Sequence, residues 1–321
     1  MTRAHTRLRF AVVVTVLTMG IATLAAQAPR TIWVTATVTD AAGRVVTSLQ
    51  QQDFRIATGD TDQQVPREVA VFSKNELPVA VSLMVDRSGS MRAQMAKARI
   101  AALLLTGVFV RGDRINIGAF NDEVVVSDRF TANRTLIEWS LTRLGTGATT
   151  PCVAPPRPRP IGQRGAEGLP QAGRGTAMWS GVWCGVRELT RDTESIRKVL
   201  VLITDGLDNT SGHNEGIAVK NAFAEGVTIY SVGLLGVGGG QVRDDSVLRR
   251  LATTTGGLFF PIEEKDPLEP VFTRIGEELR GQYVLGFTAR SSSEAGQLKV
   301  TVSDPALTVR ARAQFSAPVA R

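Results

Sequence analysis

Histidine is almost missing from this 321-residue chain, which has two, His5 and His213. General-base and triad hydrolysis usually draw on a histidine. His213 is the single candidate base once the N-terminal leader described below is set aside, so hydrolytic chemistry has little to work with. Cysteine is as scarce, also at two. Cys152 and Cys184 allow one disulfide or two unrelated buried thiols. Cys152 stands at the mouth of a long loop that a bridge could staple, and this favours the disulfide in an exported chain. Lysine supplies only six of the 37 basic residues, which reads as genome composition rather than function. The basic residues are spread along the chain and form no concentrated face of the kind nucleic-acid proteins carry. The pI near 10.0 therefore says little about partners, and no nucleic-acid partner is expected. Internal repeats are absent too.

What is present begins with a leader. "MTRAHTRLRF" has three arginines and no acid, "AVVVTVLTMGIATLAA" is apolar, and small residues follow. This is the layout of a secretory signal peptide over residues 1–28, with cleavage after Ala25 or Ala26 favoured because Pro29 follows Ala28. The alternative is a single membrane anchor, for which the run is short. Loss of Arg3, Arg7 and Arg9 with the leader leaves 34 basic against 30 acidic residues, a net charge of +4.

Residues 29–76 read as a small N-terminal β segment. "TIWVTATVTD" alternates with period two and is rich in β-branched residues, and "DFRIATGD" and "REVAVFSK" continue the pattern. From 77 to 280 the pattern changes. "PVAVSLMVD", "DRINIGAFND", "KVLVLITDG", "VTIYSVGL" and "LFFPI" read as strands separated by segments of helical spacing. Continuously apolar strands alternating with helices predict an α/β fold, a doubly wound and mostly parallel sheet covered on both faces. Within it, residues 145–175 are rich in Pro, Gly and Arg and read as one long insertion loop, either disordered or contacting a partner. Residues 281–321 return to strand patterns ("GQYVLGFTAR", "QLKVTVSD", "ALTVRARAQF"). They are expected to pack with the N-terminal segment, which has too few strands to be stable alone.

In an open parallel sheet, ligands bind outside the carboxyl ends of the strands. Two strands end there in an acid, "SLMVD" at Asp86 and "VLITD" at Asp205. Ser88 and Ser90 follow the first, and "GRGTAM" sets Thr176 at the start of a helix. Taken singly, each is an ordinary capping residue. Together, two carboxylates and three hydroxyls form an all-oxygen set that suits a hard, six-coordinate divalent cation, Mg²⁺ first, with Mn²⁺ or Ca²⁺ as alternatives.

The series "DRSGSM", "GTAM" and "LITDG" resembles the metal-ion-dependent adhesion site of von Willebrand factor type A domains, and "GDRINIGAFND" and "LRRLATTTGGLFF" fit the same family. The resemblance spans roughly residues 78 to 280. The flanks "VTDAAGRVVTSLQQQDFRI" and "IGEELRGQYVLGFTA" further resemble bacterial proteins described as having a VWFA-related domain. It implies that Ser88, Ser90 and Thr176 are direct or near-direct hydroxyl ligands, with Asp86 and Asp205 bound through water or directly. It also implies a non-enzymatic module that binds a protein ligand, whose Asp or Glu carboxylate completes the metal, while the leader predicts a secreted or periplasmic location. The 86-residue gap from Ser90 to Thr176 is long for the family, and the Pro/Arg-rich insertion accounts for the excess. Two other readings stand beside this one: a metal-assisted hydrolase using His213, and an envelope-assembly protein with a vestigial site. "RGD" at 111–113 reads as a turn before a strand, and "GLLGVGGGQ" lacks the third glycine of a dinucleotide loop.

Overall fold

The computed structural model describes residues 31–316, apart from 59–61, 65–67, 72–76, 128, 144–149, 153–174, 194, 196, 236–242, 264 and 289–294. The leader, most of the 145–175 insertion and the "GVGGGQ" loop lie outside the described residues. The chain opens with four strands, β1 (Thr31–Thr39), β2 (Phe54–Thr58), β3 (Asp62–Gln64) and β4 (Glu68–Val71). An alternating region follows: β5 (Val79–Asp86), α1 (Met95–Gly107), β6 (Arg114–Phe120), β7 (Val124–Val126), α2 (Arg134–Arg143) and β8 (Thr150–Pro151). It continues with α3 (Met178–Arg191), β9 (Arg197–Thr204), α4 (Glu215–Glu225), β10 (Val227–Leu234), α5 (Asp245–Thr254), β11 (Phe259–Ile262) and α6 (Glu269–Gly281). The last strands are β12 (Tyr283–Thr288), β13 (Ala295–Val302), β14 (Thr308–Ala311) and β15 (Gln314–Ser316).

The central sheet has seven strands in the order β11-β10-β9-β5-β6-β7-β8. The first five are mutually parallel, while β7 and β8 run antiparallel at one edge. All eight residues of β5 are buried, because alternate side chains enter different cores. Val79, Val81, Leu83 and Val85 face one core with α1 and α6, through residues such as Leu105, Phe272 and Ile275. Ala80 and Met84 face the other, with α3, α4 and α5 contributing Val182, Ala222 and Leu251. This is the doubly wound α/β architecture that the apolar strand runs predict. One detail differs: Thr150–Pro151, read from sequence as part of a continuous loop, forms the edge strand β8. The adjoining Cys152 N–H donates to Val124 O at 2.8 Å, which extends the pairing by one residue.

The flanking strands do not form a unit of N-terminal strands alone. They interleave with the C-terminal ones in two four-stranded sheets, ordered β14-β1-β12-β4 and β15-β13-β2-β3. Every pairing in these sheets is antiparallel. Their facing residues, among them Val34, Phe54, Ile56, Tyr283, Phe287 and Phe315, share one core. The α/β body is thus inserted in the chain between β4 and β12 of a sandwich.

The "RGD" turn serves the fold. Asp113 is buried, its Oδ1 accepting from Val79 N–H and its Oδ2 from Val110 N–H, each at 2.9 Å, and Arg280 pairs with it at 2.7 Å. Cys152 and Cys184 form a disulfide with Cα atoms 6.2 Å apart, tying the chain just after β8 to α3. Among the described residues, no helix is long and apolar enough to cross a membrane.

Candidate metal centre

Strands β5 and β9 are neighbours, yet the chain leaves them in opposite directions. From β5 it crosses to β6, and from β9 it crosses to β10 on the other side. The crevice outside their carboxyl ends is the switch point where doubly wound sheets hold ligands. Asp86 ends β5 there, and Asp205 directly follows β9. In register, Val85 lies beside Ile203, so the two acids emerge side by side.

The Asp86 side chain is fully buried. Its Oδ1 accepts from Ser88 N–H at 2.8 Å and its Oδ2 from Thr204 Oγ1 at 2.6 Å. Ser88 Oγ and Ser90 Oγ lie 3.0 Å apart, and Ser90 Oγ donates to Asp205 Oδ2 at 2.5 Å. The other oxygen, Asp205 Oδ1, accepts from Leu207 N–H at 3.2 Å. Four of the five sequence-predicted residues therefore share one hydrogen-bonded chain. Asp86, Ser88 and Asp205 are buried and Ser90 is half-buried beside the exposed Gly89, so the cluster opens to solvent at Ser90. The capping alternative holds only for the backbone of the acidic turns, since no side chain caps α1 or the 3-10 turn Arg92–Gln94 before it.

Burial pushes the Asp86 carboxyl up to about 6 from 3.8; hydrogen bonds from Thr204 and Ser88 oppose the shift, and the neighbouring Asp205 charge adds to it. Among the described residues no cation pairs with either carboxylate. Also among the described residues, no group of three or more His, Cys, Asp or Glu side chains could hold a metal ion. Any cation here must rest on two acids plus hydroxyls, and that all-oxygen donor set suits Mg²⁺, Mn²⁺ or Ca²⁺ rather than a softer ion. Two adjacent buried acids without a counter-cation are costly, and a divalent ion would remove that cost. The residues fit the group.

Thr176 enters from a third direction, buried ahead of α3. Its N–H donates to Asn209 Oδ1 at 2.7 Å, and its carbonyl accepts from Asn209 N–H at 3.0 Å and Thr210 N–H at 3.2 Å. Ala177 N–H donates to Asn121 O at 2.7 Å, in the loop after β6. Gly175 N–H donates to Asp122 Oδ1. A Cβ at Gly175 would collide with the Asp122 and Thr210 side chains, which would have to move to admit it. Residues 175–177 thus bridge the loops after β6 and β9, the two strands that flank β5. Among the described residues the Thr176 hydroxyl makes no hydrogen bond, and it is not bonded to the Ser88–Ser90–Asp205 chain.

Sequence reasoning missed Asp208, Asn209 and Ser211. Helix α3 has Ala177 at its N-cap, which cannot cap its own N–H groups. The loop after β9 does so instead: Asp208 Oδ1 accepts from Trp179 N–H at 3.3 Å, and Ser211 Oγ from Ser180 N–H at 3.0 Å. His213 is buried beneath this loop, stacked on Trp183 at 4.5 Å, with its Nδ1 3.5 Å from Ser180 Oγ. Desolvation holds its pKa below 6.5. It therefore pairs with neither Ser88 nor Ser90.

Residues 164–274 match the model of the von Willebrand factor type A domain; the matched span holds Thr176 and Asp205 and begins after Ser90. No curated protein matches the chain. Among solved structures, it is similar to an aerotolerance-related membrane protein from Bacteroides fragilis, at 18% identity over 63% of this chain and 98% of that one, with a TM-score of 0.46. A von Willebrand factor type A structure from Catenulispora acidiphila is 12% identical over 90% of this chain and 73% of that one, with a TM-score of 0.47. The pilus adhesin SpaC from Lactobacillus rhamnosus GG, in its open conformation, is 11% identical over 83% of this chain and 41% of that one, with a TM-score of 0.48. Residues 164–274, which lie within the doubly wound body described above, are thus similar to a von Willebrand factor type A domain.

Proposed function

We propose that this protein is an extracytoplasmic adhesion or assembly module that binds a divalent cation, Mg²⁺ first, through Asp86, Ser88, Ser90, Thr176 and Asp205. The observation that carries the reading is the pair of uncompensated acids at the switch point, joined through Ser90, whose Oγ lies 2.5 Å from Asp205 Oδ2. Three hydroxyls and two carboxylates are five donors, which leaves one position of a six-coordinate ion open. A hard anionic oxygen from a partner, an Asp or Glu carboxylate, is then the natural last ligand. The cation supplies the Lewis-acidic contact for that carboxylate. The chain's own residues do the rest: Asp86 orients Ser88, Asp205 orients Ser90, and the opening beside Gly89 admits the partner.

Binding is favoured over hydrolysis because His213 is engaged with Ser180 and Trp183 and stands at neither serine. The buried disulfide supports an oxidising compartment, in keeping with the leader-like segment. Thermal melting in Mg²⁺ against chelator tests the site. Wild type is expected to melt higher in Mg²⁺, by a shift equivalent to about 2.7 kcal/mol at a hundredfold excess over Kd, and Asp205→Ala to lose that shift. Equal melting of wild type in Mg²⁺ and chelator sinks the reading. For the partner, capture from the native envelope should fail both in chelator and with Ser88→Ala.

A further inference from the structure

Resting on the metal-site reading, we propose that Asn209 is the positioning residue for Thr176: it sets where the one ligand from outside the two acidic strand ends stands. Thr176 is the isolated member of the set. Asp86, Ser88, Ser90 and Asp205 are linked by their own hydrogen bonds, whereas the Thr176 hydroxyl makes none among the described residues. Its location is decided by its backbone, and Asn209 grips that backbone at both polar groups. The amide oxygen takes the Thr176 N–H at 2.7 Å, and the Asn209 N–H reaches the Thr176 carbonyl at 3.0 Å.

The grip is built into the strand end that carries Asp205. Asn209 lies four residues beyond Asp205 in the turn opened by Gly206, whose φ of +85° only glycine adopts readily. Asp208 and Ser211 in the same turn cap α3, and Gly212 N–H donates to Ser180 Oγ at 3.0 Å. One loop therefore carries an acid of the site, holds the Thr176 backbone and fixes the helix behind it. Removal of the Asn209 amide leaves the acids and serines untouched but frees the Thr176 N–H, so its effect should pass through Thr176 alone.

The test is a double-mutant cycle on Mg²⁺ affinity, read by calorimetry on the full chain with melting in chelator alongside. Asn209→Ala should weaken Mg²⁺ binding roughly 10- to 100-fold, the usual range for residues that orient a ligand. In a Thr176→Val background, Asn209→Ala should change affinity less than about twofold. Asn209→Asp keeps an oxygen for the Thr176 N–H and should bind at least as tightly as wild type, which guards against an Ala variant that folds poorly. Unchanged affinity in Asn209→Ala overturns the proposal while leaving the metal site standing. The same loss with and without the Thr176 hydroxyl also overturns it, because Asn209 would then act by another route. Loss in Asn209→Asp equal to that in Ala overturns it as well. A wild-type titration that is flat overturns the metal site and this inference together.

Discussion

The Asp86 carboxylate is fully buried, meets the hydrogen-bond donors Ser88 N–H and Thr204 Oγ1, and has a second acid, Asp205, for a neighbour. A rise from 3.8 to about 6 corresponds to about 3 kcal/mol of cost for keeping the group ionised. The sign follows from linkage. The folded value lies above the unfolded one, so the cost is absent below pH 3.8 and fully present above about pH 6. In chelator, protein stability should accordingly decline as pH rises from 4 toward 6, and Asp86→Asn should flatten that decline. The same variant should lose the Mg²⁺ shift while melting no lower than wild type in chelator. A steep loss of chelator stability in Asp86→Asn would show that the carboxylate is structurally required. At this scale the strand-end acids and their serines are legible, because an apolar run that stops at an acid marks a strand's carboxyl end. Asn209 is not: in "GLDNTSG" an asparagine looks like any turn former, and only the fold brings it to Thr176, 33 positions away in sequence.

Among the elements, α3 depends most on something outside itself. Its first-turn N–H groups are capped by Asp208 and Ser211, while its middle is pinned by the Cys152–Cys184 bridge. Asp208→Ala and Ser211→Ala should each lower stability by about 1 kcal/mol, the usual effect of a lost helix cap, measured by urea denaturation. Changes under a few tenths of a kcal/mol would mean that water replaces the caps. The strands were legible because apolar runs and β-branched alternation report burial directly. The short edge strand β8 was not, since two residues ending in proline carry no periodicity and pair only because β7 presents an open edge. Both rims of the seven-stranded sheet hold a proline, Pro151 in β8 and Pro261 in β11, which withholds an N–H from any strand that might add there.

For the molecule as a whole, the notable point is how the inserted α/β body and the sandwich are joined. Fully buried Arg197, at the start of β9, donates to Leu77 O at 3.0 Å, to Gln282 Oε1 at 2.9 Å and to Leu279 O. Burial lowers its pKa to about 10, a shift that Asp113 opposes. Arg312, also buried, bonds Phe223 O in α4 and Trp33 O in β1, each at 3.0 Å. Glu278 accepts from Tyr230 Oη at 3.1 Å and pairs with Arg274 at 3.2 Å and with Arg310. Several arginines behind the basic pI are thus internal fasteners, which is why the charge count carried no message about partners. Arg197→Met should cost about 3 kcal/mol, because buried acceptors lose their donor. It should also split a single denaturant transition into two, followed by tryptophan fluorescence. One unchanged transition would show that the remaining contacts suffice. That the two ends of the chain build one sandwich was legible from their strand patterns; the interleaved strand order was not, because pairing across more than 200 residues leaves no local trace.

The two places where the chain passes between bodies are just before β5 and just before β12, at Leu77 and Gln282, and Arg197 holds both. Were a partner held at the Asp86–Asp205 end as proposed, tension on it would reach the sandwich covalently only through these two crossings. Bound to one side chain, they would share that load in parallel, like two cords through a single rivet.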